Sequence, residues 1–258
     1  MPQHPVRFPF NRHSIRIVST VGLVIWSIAV SSPVFAGPPY LTDDPDPVEY
    51  GHWELYLASQ WDHIATDGAS GNLPQFEINY GVLDGAMLHL LIPVGYTAEA
   101  GRSPVTGPGD MEVGANIRIV EEGRHRPQVG TFPVAVLPTG ATERGLGSGA
   151  AALFLPIWLM KHVGHWTVDG GGGLNFEEGT VEGHFGMFLQ RSFRERVTLG
   201  AEVFVTVPFE AAPVSVRTQL NAALTVDVSE AHHLLFSGGP SFGAVRGAQA
   251  YAAWQVTL

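Results

Sequence analysis

An all-β fold, an up-and-down antiparallel transmembrane β-barrel of about twelve strands preceded by a cleaved signal peptide, is what this sequence predicts. Three observations carry it. Apolar and polar residues alternate with period two through most of the chain, the connectors between those runs alternate long and short, and the chemistry of a water-exposed surface is scarce. Of 258 residues, 45% are hydrophobic, only 15% are charged, and Lys161 is the single lysine. Thirty-one glycines and nineteen prolines argue against long helices.

The order of elements begins with an export signal over residues 1–36. Arg7, Arg12 and Arg16 precede the apolar run from Ile17 to Val30, which ends in Ser31-Ser32-Pro33-Val34-Phe35-Ala36. A basic stretch, a short apolar core and a small-residue end are the parts of a cleavable signal. At 1.5 Å per residue the run reaches about 21 Å, short of a roughly 30 Å hydrocarbon layer. Residues 37–51 follow as a periplasmic lead-in rich in Pro and Asp. Asp43, Asp44, Asp46 and Glu49 lie between prolines here, and solvation accounts for them better than a cation site or a lumen plug.

From 52 to 258 the alternation sets in. Val197, Leu199, Ala201, Val203, Val205 and Val207 share one face; Thr198, Gly200, Glu202, Phe204 and Thr206 share the other. Phe76, Ile78, Tyr80 and Val82 oppose Gln75, Glu77, Asn79 and Gly81, and Trp53, Leu55, Leu57 and Trp61 oppose Glu54, Tyr56, Ala58 and Gln60. A helix would scatter these sets. Twelve runs result, near 52–61, 74–82, 86–97, 110–121, 127–138, 150–161, 166–175, 184–193, 197–207, 214–228, 232–241 and 248–258. Ten strands remain an alternative. Pro93, Pro133, Pro156 and Pro240 fall inside runs and predict bulges or shifted ends. The connectors 62–73, 98–109 and 139–149 are long and rich in Gly, Ser and Thr. Those at 83–85, 162–165 and 194–196 are tight, as in a barrel with short periplasmic turns.

Twelve strands enclose a lumen too wide for a dry side-chain core, so the apolar face is expected to point outward. Trp53 and Trp61 are then about 20 Å apart along the membrane normal and, with Trp254, suit the interfaces. Glu54, Glu77, Glu112, Asp169, Glu202 and Asp227, with Arg118 and Arg217, line the interior. An acidic lumen of this kind favours cations or neutral solutes over anions. A satisfied ladder of ion pairs that conducts nothing is the other reading of the same residues.

Composition also excludes. Eleven basic against twenty-four acidic residues after the N-terminus leave nucleic acid an unlikely partner. Without cysteine there is no disulfide, thiolate metal site or thiol nucleophile. The histidines are scattered, so no metal and no cofactor are expected. Glycines 170–173 and Gly145-Leu146-Gly147-Ser148-Gly149 lack the helix and Lys-Ser/Thr of a phosphate loop. His63, beside Asp62 and Asp67, is the one cluster resembling a hydrolase site, and no serine motif accompanies it. The chain is not expected to be an enzyme.

Pro38-Pro39-Tyr40-Leu41-Thr42-Asp43-Asp44-Pro45 followed by Val48-Glu49-Tyr50-Gly51-His52-Trp53-Glu54 resembles the start of a family of bacterial outer-membrane barrels. That family is labelled "transporter" or assigned to the meta-cleavage pathway of phenol degradation. Asn79-Tyr80-Gly81-Val82-Leu83, Gly109-Asp110-Met111-Glu112-Val113-Gly114, Leu137-Pro138-Thr139-Gly140 and Leu199-Gly200-Ala201-Glu202-Val203-Phe204 are similar too. The chain departs from many such barrels at its end, where Leu258 is last and Trp254 is the nearest aromatic. The resemblance implies an outer-membrane channel for passive passage of small molecules, hydrophobic or aromatic ones among them. Its partners would be outer-membrane lipid, the barrel-assembly machinery and the solute. A non-conducting barrel that binds through its loops is the alternative.

Overall fold

The computed structural model describes residues 38–65, 68–99, 101–193, 196–209, 216–244 and 246–258. The signal peptide expected over 1–36 lies outside them. Twelve antiparallel strands form a closed barrel: β1 Trp53–Ile64, β2 Gly68–Leu83, β3 Ala86–Ala98, β4 in two pieces Val105–Pro108 and Met111–Val120, β5 likewise Gln128–Thr131 and Val134–Leu137, β6 Ala152–Val163, β7 Trp166–Glu177, β8 Thr180–Phe193, β9 Val197–Pro208, β10 Arg217–Asp227, β11 His232–Gly243 and β12 Gly247–Thr257. Each strand pairs with its neighbours in sequence, and β1 closes the ring on β12 from Glu54↔Thr257 to Ile64↔Gly247. Closure matters because an unpaired backbone edge cannot be satisfied in hydrocarbon.

The two faces are inverted relative to a soluble barrel. Along β1, Tyr56, Ala58, Gln60 and Asp62 are buried, while Trp53, Leu57 and Trp61 are exposed. Along β2, Gln75, Glu77 and Asn79 are buried and Phe76 is exposed. On β6, Leu153, Leu155, Ile157 and Leu159 are all exposed. In each of these strands the outward face is apolar, as lipid requires.

Several elements differ from the sequence reading. Most of 62–73 is strand rather than loop: Asp62 pairs Ser70 and His63 pairs Ala69, so the β1–β2 hairpin continues its ladder with small polar residues. Within 98–109 the piece Val105–Pro108 pairs β3. The run from 214 begins as strand at Arg217, and 210–215 lie outside the described residues. Pro133 breaks β5 and Pro93 sits opposite a register shift in β2, as a missing N–H donor dictates. Pro156 and Pro240 keep their register. Pro156 is accommodated because its partner is Gly173 and because the Thr131 hydroxyl donates to its carbonyl at 2.6 Å. The glycine run 170–173 lies in mid-β7, where Trp158 and Phe185 would collide with any added Cβ at Gly171 and Gly172.

Leu155→Arg, which places a guanidinium on the lipid face of β6, is expected to destabilise the barrel by about 2–4 kcal/mol. Urea titration of the protein refolded into liposomes measures it; an unchanged midpoint would show that β6 does not face lipid.

Candidate functional site

The lumen is crossed by residues 40–48. Tyr40, Leu41, Thr42, Asp43, Pro45, Pro47 and Val48 are buried against the inner wall, so the solvated lead-in expected from sequence is not what forms. Tyr40 stacks on Phe188 of β8, centroids 4.1 Å apart and planes 7° from parallel. The Thr42 N–H donates to Glu202 Oε1 of β9 at 2.5 Å, and Asn221 Nδ2 of β10 steadies the other oxygen at 2.7 Å. On the opposite wall, Asn116 of β4 donates to the Asp44 carbonyl at 2.9 Å and Gln128 of β5 to the Pro45 carbonyl at 2.8 Å. Arg118 pairs with Asp46 at 3.2 Å, and the Val48 N–H reaches Met87 Sδ of β3 at 3.3 Å. The segment therefore bridges the β3–β5 wall to the β8–β10 wall. Prolines suit it, since a chain with few N–H groups leaves few donors to satisfy.

Glycines make the room. A Cβ on Gly200 would strike Tyr40 Oη, and one on Gly186 would strike Thr42 Oγ1. At the other end of the barrel, the 138–151 connector folds back over the opening. Asp110 accepts the N–H groups of Gly140 at 2.8 Å and Ser148 at 2.7 Å, and Leu146 is buried beside Gly95 and Gly107. One cavity, lined by Leu41, Phe204, Thr206, Arg217, Gln219 and Gln249, has room for about two waters.

The residues expected to line the lumen are placed as follows. Glu77, Glu112, Asp169 and Glu202 are buried; Glu54, Arg118, Arg217 and Asp227 are half-buried. Arg217 pairs with Asp62 at 3.2 Å, and Asp227 meets His233 Nδ1 at 2.6 Å. Tyr56 donates to Glu54 at 2.9 Å, and Asn79 to Glu77 at 2.8 Å. Among the described residues no Arg or Lys pairs with Glu77, Glu112, Asp169 or Glu202, so these groups do not form a ladder of ion pairs. Trp53, Trp61 and Trp254 lie exposed on the outer face. Trp53 packs on Tyr80 at 4.3 Å, and the Trp254 Nε1–H reaches His232 at 3.3 Å.

His63 is exposed while Asp62 is buried, because neighbours on a strand point to opposite faces; Asp67 lies outside the described residues. Of that cluster, the two described members, His63 and Asp62, are therefore held apart. In the tight connector at 162–165, His162 meets Glu122 Oε2 at 2.6 Å, and Lys161 of β6 pairs with the same carboxylate. These two partners hold Glu122 down to about 2. Asp44 moves the other way, up to about 7, because enclosure in the lumen disfavours its charge more than the Asp46 N–H supports it.

Sequence reasoning missed an apolar sector of the inner wall. Val48, Met87, Phe132, Val134, Val136, Ala152, Phe154 and Trp158 form one buried cluster, mostly from β5 and β6. The signal was present in Ala152–Met160, which is apolar at every position. A strand apolar on both faces has two apolar environments, lipid on one side and packed side chains on the other.

No protein-family model matches the chain, and no curated protein does. Solved structures do. An outer-membrane channel from Pseudomonas putida F1 superposes with a TM-score of 0.69 at 14% identity, covering 83% of this chain and 98% of its own. The KdgM porin follows with 0.55 at 9% identity, covering 79% of this chain and 98% of its own. The translocator domain of the autotransporter NalP from Neisseria meningitidis reaches 0.55 at 13% identity, covering 81% and 89%. At these identities the likeness is one of fold. Together with the inverted faces, it gives the protein the fold of a transmembrane β-barrel of the outer-membrane type.

Gly200→Val is expected to drive Tyr40 off Phe188 and free the segment while leaving the barrel closed. Limited proteolysis should cut within 38–50 at least tenfold faster than in the wild type; equal rates would mean that the segment is not held by this contact.

Proposed function

We propose that the protein is an outer-membrane channel for small solutes in which residues 40–48 close the aqueous path. Passage is passive and requires the segment to leave the inner wall. The observation that carries this reading is the bridge from Glu202 and Phe188 on one side to Asn116, Gln128 and Arg118 on the other. Such a crossing is held by a few hydrogen bonds, one stacked pair and one half-exposed ion pair. Each contributes on the order of 1 kcal/mol, which suits a reversible closure.

Glu77, Glu112, Glu202 and Asp169 make the lumen acidic and favour cationic or neutral solutes. That setting does not suit the anionic oligogalacturonate with which the KdgM porin has been crystallised. The apolar sector on β5 and β6 supports passage of hydrophobic or aromatic molecules, in keeping with what the resemblance to the phenol-degradation family implies. A non-conducting barrel that binds through its loops is the second reading, favoured by the small size of the cavity beside Leu41.

Deletion of residues 40–48 separates the two. In planar bilayers the deleted barrel is expected to conduct at least severalfold more than the full chain, with cations favoured over anions. Unchanged conductance, or a preference for anions, would refute the channel with an acidic lumen.

Closure should also depend on pH through Asp44. Asp46, Glu54 and His162 face it electrostatically, and Asp169 is near enough to feel its charge. Its carboxyl is raised from 3.8 to about 7 where it sits, so the docked segment holds a proton that the released one gives up. Docking is therefore strongest below pH 4 and weakens as pH climbs to about 7. Open probability is expected to rise across that window, and Asp44→Asn to flatten the rise; a profile unchanged in the variant would assign it to another group.

A further inference from the structure

We propose that the inner wall around Asp169 binds an organic ammonium group carried on an apolar or aromatic body. Asp169 of β7 is 1% exposed, and neither of its carboxylate oxygens has a hydrogen-bond partner. It is the one described residue with two such atoms. Its surroundings are aromatic and apolar. Phe188 faces it across the β7–β8 ladder, Met160 faces it across β6–β7, and the buried Trp158 ring lies against Gly171, the next inward position on β7. Tyr40 lies stacked on the Phe188 ring, so an aromatic body already occupies that face.

The charge nearby has the same sign. Asp43 of the crossing segment, and Asp44 whenever it is ionised, add to the negative potential at Asp169, and no Arg or Lys of the described residues pairs with it. A buried carboxylate needs a counter-charge or a proton. A chelated metal ion does not fit, since among the described residues no three His, Asp or Glu side chains are placed to hold one. An ammonium needs only one carboxylate and completes its shell with ring faces, which attract cations. An alcohol would bond to the carboxylate but leave its charge uncompensated, and a carboxylate solute would be repelled. With the segment docked, the Tyr40 ring takes the place that the ring of a solute would occupy on Phe188.

This site deepens the channel reading by naming a solute class, but its binding can be measured without conductance. Calorimetry on the full-length protein in detergent, with 2-phenylethylammonium, 2-phenylethanol and 3-phenylpropanoate, is the test. The ammonium is expected to bind at least tenfold tighter than the alcohol, and the propanoate not at all. Asp169→Asn should abolish the preference. Phe188→Leu, a variant that keeps the carboxylate and serves if the first fails to fold, should weaken the ammonium severalfold while the barrel keeps its heat-modifiable migration. Equal binding of ammonium and alcohol, or a preference that survives Asp169→Asn, would overturn the site and leave Asp169 neutralised by a proton. Ammonium preference without conductance would support the site and refute the channel.

Discussion

Every feature of this protein follows from the need to satisfy backbone N–H and C=O groups where no water can do it. A sheet in hydrocarbon must close on itself, and the β1–β12 ladder from Glu54 to Ile64 provides the closure. Once closed, period-two alternation sends one set of side chains to lipid, which must be apolar, and the other to the interior, where most of the polar groups collect. Leu57, Phe76 and Leu155 look outward because Gln60, Glu77 and Phe154 look in. The interior then inherits polar groups in a space of low water content, and the rest of the architecture is a set of answers to that.

Three different answers appear around the wall. Near β9 and β10, Glu202 is met by the Thr42 N–H and by Asn221, so its lone pairs are used by the crossing segment itself. Near β4 and β5, Asn116, Gln128 and Arg118 take up carbonyl and carboxylate groups of Asp44, Pro45 and Asp46. Along β5 and β6 the problem is avoided, because Phe132, Val134, Phe154 and Trp158 present no carboxylate at all. Asp169 lies at the border of this apolar sector without any of these answers.

The barrel was legible in the sequence because its governing signal is local. Alternation in Val197–Val207 or Phe76–Val82 is read residue by residue, and lipid acts on each strand in the same way. Strand ends were less legible. Asp62↔Ser70 and His63↔Ala69 continue a ladder beyond the membrane, where polarity no longer distinguishes strand from loop. The crossing segment was illegible for another reason: its partners Glu202, Gln128 and Asn116 lie 72 to 160 residues away, and no local pattern in Tyr40–Val48 specifies them. Pro45 and Pro47 keep the segment out of helix and strand, but an irregular chain satisfied by distant side chains looks, in sequence, like one satisfied by water. Phe154 and Trp158 were hidden by the opposite problem, since a strand apolar on both sides carries no alternation to read.

The crossing segment runs without a break into β1, where Tyr50 bridges Gly81 and the Gly51 N–H reaches the Gly81 carbonyl at 2.8 Å. That junction is a tether. Residues 40–48, once off the wall, stay within about 30 Å of where they were, at ~3.3 Å per extended residue. A short flexible leash of this length keeps an effective concentration on the order of millimolar. Return is thus an intramolecular event, independent of how many copies the membrane holds, and any vacancy it leaves is brief unless something else fills it first.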